Sequence, residues 1–305
     1  MQIIASIAPI FIVILFGVIG GKRGLIPESF QKPANKLAFN FAFPALLINA
    51  IGRTHVSDFW QPVQLAITMG AMLFCWLVSW QLSRVFFKNN ESTRPTWIQT
   101  SVHGNYGFVG LAVILYALGD PGVAASGLLV GVMSILQNAI TVITLSYLAG
   151  TKAKPLEQVK AIATNPIIIA ILIGLTISFL GIDISGVVGR TLKIMGGMGV
   201  PLALLIIGAK LGETRIKAPL PMLALPMLMK LFILPALAWG LLSMFGYSGL
   251  LLTTAVLIVA SPTATLSVVF ADQMGGDSDF ASTMVSLTTA LSALTFSLWL
   301  MVLVP

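Results

Sequence analysis

Charge is scarce in this chain of 305 residues, where 9% of positions are Asp, Glu, Lys or Arg against about 25% in a soluble domain. A soluble core with a solvated shell is therefore excluded, and 57% hydrophobic content with mean hydropathy +0.98 points to a helical membrane protein with little outside the bilayer. Cysteine is nearly absent: Cys75 stands alone, so no intrachain disulfide forms. Two histidines and one cysteine, far apart, do not supply a zinc site, which disfavours a membrane-embedded metalloenzyme. No enzymatic role, cofactor or metal is expected. Carboxylates are missing from the middle of the apolar runs: all ten Asp and Glu lie in loops or near run ends, against the pattern of a cation/proton antiporter. Gly196–Gly199 lacks the lysine and strand context of a phosphate loop and suits helix packing.

What is present is a series of apolar runs. Ten spans are read: Ile3–Gly21, Asn35–Gly52, Pro62–Phe86, Thr96–Leu118, Gly122–Gly150, Ile162–Leu180, Gly186–Ala209, Pro219–Phe245, Gly249–Met274 and Phe280–Val304. The first run has no basic n-region and is long enough to remain as a span. A basic, polar segment at 151–160 divides residues 1–150 from 161–305.

The two halves repeat. At a shift of 157 residues Pro9 meets Pro166, Gly17 meets Gly174, Gly24 meets Gly181 and Lys36 meets Lys193. Pro44 likewise meets Pro201, Pro62 meets Pro219 and Asp120 meets Asp277. Three proline coincidences exceed the roughly 0.4 expected by chance at one shift. Five spans per copy is odd, so the second copy enters from the opposite side, giving the inverted repeat common among secondary transporters. The loops after spans one, three, five and seven hold 13 Lys and Arg, from Lys22 to Lys217, while the opposite loops hold only Arg53, Arg190 and Lys193. Basic loops stay in the cytoplasm, so membrane orientation explains the net charge of +7 better than nucleic-acid binding, and both termini are expected outside.

Span nine contains the clearest interruption, Ser261-Pro262-Thr263-Ala264-Thr265. Pro262 has no N–H and clashes with the preceding turn, so a regular helix should break there. Shifted back by 157, this stretch lands on Gly104–Phe108 in span four, where His103, Asn105 and Tyr106 accompany helix-weakening Gly104 and Gly107. A proline kink and close glycine packing explain each break separately. Their coincidence favours one shared site near the midplane. Half-helix N-termini at Tyr106 and at Thr263 would then favour an anion, typically a carboxylate.

These residues resemble the auxin efflux carrier family, which includes prokaryotic malonate-type carriers. The resembling segments are Asn35–Ile51 (NKLAFNFAFPALLINAI), Gly104–Leu111 (GNYGFVGL), Thr164–Leu175 (TNPIIIAILIGL), and SPTA with ADQMGGD in span nine. The resemblance implies that spans four and nine cross at the site. It also implies a scaffold of spans one, two, six and seven and a mobile transport domain of spans three to five and eight to ten. The long cytoplasmic loop of the plant carriers is absent, which favours the short prokaryotic type. The resemblance sets Gln137 and Asn138 of span five beside the crossing, although an interhelical hydrogen bond is an equal reading.

The expected fold is thus an all-α membrane protein of ten transmembrane helices in two inverted five-helix repeats. The expected function is secondary transport of small organic anions across the inner membrane by an elevator-like mechanism. A cation/proton antiporter and a non-transporting sensor are the alternatives. Candidate substrate-binding residues are Asn105, Tyr106, Gly107, Gln137, Asn138, Ser261, Pro262, Thr263, Ala264 and Thr265. His103 is the candidate for proton coupling, with a structural hydrogen bond as its other reading. Asn40 and Asn49 suit helix packing at least as well as the pathway. Lys230, about eleven residues into span eight, is expected to snorkel to the cytoplasmic interface. Tryptophans at several span ends are expected to be interfacial anchors. Partners are the anion and the lipid bilayer, with a homodimer admitted and nucleic acid excluded.

Overall fold

The computed structural model describes residues 2–55, 61–87, 92–150, 160, 163–213 and 220–304. Among them regular structure is helical, apart from one isolated antiparallel bridge between Gly104 and Thr263. In chain order the helices are α1 (Gln2–Lys22), α2 (Glu28–Leu37), α3 (Phe43–Gly52), α4 (Pro62–Phe86), α5 (Thr93–Thr100), α6 (Leu111–Leu148), α7 (Pro166–Phe179), α8 (Val187–Gly197), α9 (Gly199–Glu213), α10 (Leu220–Leu228), α11 (Leu234–Met244), α12 (Gly249–Val259), α13 (Leu266–Gln273) and α14 (Ser278–Leu303). Three π turns interrupt them, at Ala38–Ala42, Tyr106–Gly110 and Met229–Ile233.

Among the described residues six helical runs are long and apolar enough to cross a membrane: Glu28–Gly52, Pro62–Phe86, Tyr106–Leu148, Val187–Gly212, Pro221–Met244 and Ser278–Leu303. Shorter apolar helices cover Ala8–Lys22, Pro166–Phe179 and Gly249–Val259. The 43-residue run Tyr106–Leu148 turns sharply at Gly119, whose φ of 68° only glycine adopts readily, just before Pro121. The protein is therefore a multi-pass helical membrane protein. Large apolar side chains such as Phe16, Phe74, Phe179 and Met244 stay exposed, as lipid-facing surfaces require. The expected linker at 151–160 lies outside the described residues except for Lys160.

Helix packing divides the chain into two units. The first comprises Met1–Gln61, Gly107–Gly131 and Leu156–Glu213. Here α1 lies on α9, and α3 lies on α7 and α8. Small residues let the backbones approach: a Cβ on Gly17 would fall 2.9 Å from the Cα of Gly208, and one on Gly196 2.8 Å from the Cα of Leu46. Gly24 and Gly181, counterparts at the 157-residue shift, follow α1 and α7 with φ of 71° and 63°. Asn165 starts α7 by accepting the Ile167 N–H at 2.9 Å, with Pro166 fitting the first turn. The second span begins at Glu28 and not at the expected Asn35. Pro33 falls in the second turn of α2, where its missing N–H costs a single bond near an already weak helix end.

The second unit comprises Pro62–Tyr106, Val132–Pro155 and Thr214–Pro305. In it α4 packs on α5 and α11, and α14 packs on α5 and α13. Asp277 caps α14 through Oδ1, accepting the Phe280 N–H at 2.9 Å. Its Oδ2 accepts the Thr93 hydroxyl at 2.6 Å, and its own N–H donates to Thr96 Oγ1 at 2.8 Å. The starts of α5 and α14 are thereby tied together. Three tryptophans donate their indole N–H inside this unit: Trp76 to Thr144 Oγ1, Trp97 to the Met222 carbonyl and Trp299 to the Leu231 carbonyl. A buried indole N–H needs a partner, and these acceptors provide it.

Candidate functional site

Two helices of the second unit stop in the interior. Helix α5 ends at Thr100 and the chain runs unwound through Ser101–Asn105 before the π turn at Tyr106. Helix α12 ends at Val259 and the chain is non-helical until Leu266. Every residue from Ser101 to Tyr106 and from Ala260 to Ala264 is buried. Unwound backbone at that depth must find partners, because each unmet polar group costs several kcal/mol in hydrocarbon.

The two breaks satisfy one another. Asn105 donates its backbone N–H to the Pro262 carbonyl at 2.8 Å, and Ala264 donates to the His103 carbonyl at 3.0 Å. Gln137 clamps the remaining groups of Gly104: its Oε1 accepts the Gly104 N–H at 2.9 Å and its Nε2 donates to the Gly104 carbonyl at 3.1 Å. Thr263 donates its N–H to Thr288 Oγ1 at 3.0 Å and its hydroxyl to the Thr100 carbonyl at 3.1 Å. His103 Nδ1 shares a 2.9 Å hydrogen bond with Thr141 Oγ1. Pro262 suits the bridge because its position needs an acceptor and no donor.

The structure brings His103, Asn105, Tyr106, Gln137, Pro262, Thr263 and Ala264 together at this crossing. Ser261 is also buried there, its hydroxyl turned back to the Leu257 carbonyl at 3.3 Å. Thr265 occupies the position before α13 without a capping side-chain hydrogen bond and is half-buried. Gly107 is half-buried, with open space where a side chain would begin. Asn138 keeps a buried Oδ1 that no group donates to. The second half-helix starts at Leu266 and not at the expected Thr263, because Pro262–Ala264 are held extended in the bridge.

Several polar atoms remain available after these bonds are drawn. Tyr106 Oη, His103 Nε2 and both amide atoms of Gln99 are buried without partners. The Asn105 side chain is 5% exposed and spends neither donor nor acceptor on a described group. The first turn at Tyr106 has N–H groups with no intrahelical acceptor, whereas at Leu266 the Ser267 and Val268 N–H groups are taken by the Ala264 and Thr265 carbonyls. Among these groups the Asn105 amide and the Tyr106 hydroxyl are donors of the kind that suit an anion.

Lys230 corrects the sequence expectation. Its side chain is 0% exposed and does not reach an interface: Nζ donates to the Val259 carbonyl at 2.6 Å and lies 5.8 Å from the centre of the Tyr106 ring. The π turn at Met229–Ile233 carries it, and snorkelling fails because the stem points at the end of α12. Its depth in an apolar span was the available signal. Gln99, Thr141 and Thr288 were also missed, since a polar residue one helix away from a break leaves no local mark.

A separate cavity of about 330 Å3 lies within the first unit, lined by Arg53, His55, Ser178 and Asp183 among others. It has no broken helix end, so the crossing remains the better candidate.

A family model described as "Membrane transport protein" matches residues 2–300. The chain is 27% identical over 189 residues to "Uncharacterized transporter YfdV" of Escherichia coli K12, covering 59% of this chain and 60% of that relative. It is 23% identical to the "Putative malonate transporter" of Rhizobium meliloti, over 96% of this chain and 93% of the relative. An "Uncharacterized transporter" of Methanothermobacter thermautotrophicus is 24% identical over 98% and 97%.

Proposed function

The chain belongs to the membrane transport protein family of the auxin efflux carriers, and on that premise we propose that it is a secondary carrier of small organic anions, mono- or dicarboxylates of malonate-like size. The single observation that carries this reading is the buried crossing, where two helix breaks meet beside an Asn105 side-chain amide that is spent on no described group. A carboxylate would take the Asn105 amide and the first-turn N–H groups at Tyr106, with Tyr106, Gly107 and Thr265 lining it. Gln137, Pro262, Thr263 and Ala264 would hold the backbone in place, and Ser261 and Asn138 would flank it. The name of the Rhizobium relative lends support to the dicarboxylate class.

The architecture we propose for this function is ten spans in two inverted repeats of five, in the inner membrane with both termini outside. Support comes from the matched glycine turns at Gly24 and Gly181. It comes also from paired contacts: Gly17 against Gly208 and Gly174 against Ile51 are images of each other under the 157-residue shift. Transport would proceed by movement of spans three to five and eight to ten past spans one, two, six and seven. A covalent cross-link between the two groups should abolish turnover and spare binding.

Uptake into proteoliposomes tests the function. A panel of radiolabelled mono- and dicarboxylates, with and without a pH gradient, should yield saturable uptake of at least one. Binding with no net flux of any of them would instead indicate a sensor and end the carrier reading.

A further inference from the structure

The last four carbonyls of a helix have no intrahelical donors. In α12 all four are accounted for. Val256 accepts from the Ala260 N–H at 2.8 Å, Ile258 from the Ser261 N–H at 3.1 Å and Leu257 from the Ser261 hydroxyl at 3.3 Å. The fourth, Val259, is taken by the ammonium of Lys230 at 2.6 Å. A cation therefore sits on the negative end of a half-helix, inside the protein and next to the crossing.

Nothing acidic accompanies it. Among the described residues no carboxylate pairs with Lys230. The titratable neighbours of Lys230 are Cys75 of α4, His103 and the Tyr106 ring. Burying an ammonium with no carboxylate is costly, and the compensation here comes from the helix end and the π face. Where transporters break their helices, half-helix C-terminal ends and unwound carbonyls commonly coordinate a coupling Na+ or H+.

We infer that Lys230 is a resident cation: its ammonium occupies the half-helix position at which a mobile alkali cation would otherwise be held, so anion movement through the crossing needs no co-bound sodium. This rests on the carrier reading for its transport consequence and on geometry alone for the site itself. Lys230 acts through the end of α12 and is a positioning residue. Its ammonium on the Val259 carbonyl, two residues before Ser261, sets the electrostatics of the break.

The test has two arms. In the first, purified Lys230→Ala is heated in detergent with propylammonium, sodium or tetramethylammonium chloride. The expected result is a lowered unfolding midpoint that propylammonium, small enough to enter the truncated site, raises by at least half of the loss. Sodium should raise it less, tetramethylammonium not at all, and the parent should respond to none. No differential response to any of the three would overturn the cation site. Lys230→Met, which fills the volume without charge, guards against simple packing loss and should not respond to propylammonium. In the second arm, parent uptake should be equal in sodium and choline media, while Lys230→Met loses roughly tenfold or more, as for a charged hydrogen bond. An obligate sodium requirement in the parent, or full activity of Lys230→Met, would overturn the inference. If the parent moves no carboxylate at all, the carrier reading falls and the thermal arm still decides the cation site.

Discussion

The Asn105 N–H and the Pro262 carbonyl meet at 2.8 Å, and the two residues are 157 positions apart, the interval that relates the halves of the chain. Each is the counterpart of the other under the proposed repeat. A hydrogen bond between self-equivalent positions would lie on the pseudo-two-fold axis, which is where a site shared by two copies belongs. The residues around it separate into those that build the crossing and those left to meet a ligand, and the predictions follow that separation.

Asn105→Ala removes an uncommitted amide while leaving the backbone bridge intact. Anion binding should weaken at least tenfold, roughly 1–3 kcal/mol, with an unchanged unfolding midpoint. Calorimetric titration with malonate on the folded variant measures it. Binding equal to the parent would remove Asn105 from the site.

Thr263→Val should behave oppositely. Its hydroxyl is committed to the buried Thr100 carbonyl, so the variant leaves an acceptor unmet and loses about 1–3 kcal/mol of stability. Thermal unfolding in detergent should show the drop. Loss of anion affinity at full stability would mean that the hydroxyl turns to the ligand.

Gln137→Leu keeps the volume and deletes both bonds to Gly104. The crossing should loosen, so the variant should expose Ser101–Asn105 to hydrogen exchange faster than the parent. Gln137→Glu keeps the acceptor and should retain part of the protection. Equal exchange in all three would make the clamp incidental.

Gly208→Ala and Gly174→Ala test close packing in the first unit. A methyl at Gly208 meets the Ile14 backbone carbonyl, whereas one at Gly174 meets the Ile51 side chain at 2.9 Å. Backbone cannot yield as a side chain can, so Gly208→Ala should cost more, by about 1 kcal/mol or greater. The order of unfolding midpoints decides.

Topology is checked with Lys154→Cys in a Cys75→Ser background. An impermeant thiol reagent should leave intact cells unlabelled and label inverted vesicles. Labelling from outside would reverse the orientation drawn from the loop charges.

Both breaks were legible in the sequence because glycine and proline act locally: Pro262 forbids a helix wherever it stands, and Gly104 marks its counterpart. That they would pair through an antiparallel backbone bridge was not legible, since no side chain encodes such a contact. Lys230 was misread for a different reason. A lysine well inside a span can run to either interface or turn inward, and only the position of the α12 end decides. Span two was placed seven residues short at its start because Lys32, Pro33 and Lys36 look like loop, yet they occupy the exposed face of α2. The π turns left no signature, as each inserts a residue without altering composition.

The bridge between Gly104 and Thr263 is made of main-chain atoms alone, and this separates two kinds of inheritance. Asn105 and Gly107 can be exchanged without redrawing the hydrogen bonds that hold the crossing, provided His103, Pro262 and Thr263 keep their roles and residue 104 stays small beside Tyr106. Relatives can then diverge in cargo while keeping one chassis. A matched fold in this family should therefore say little about what is carried, and a handful of exchanges around Asn105 should be enough to change it.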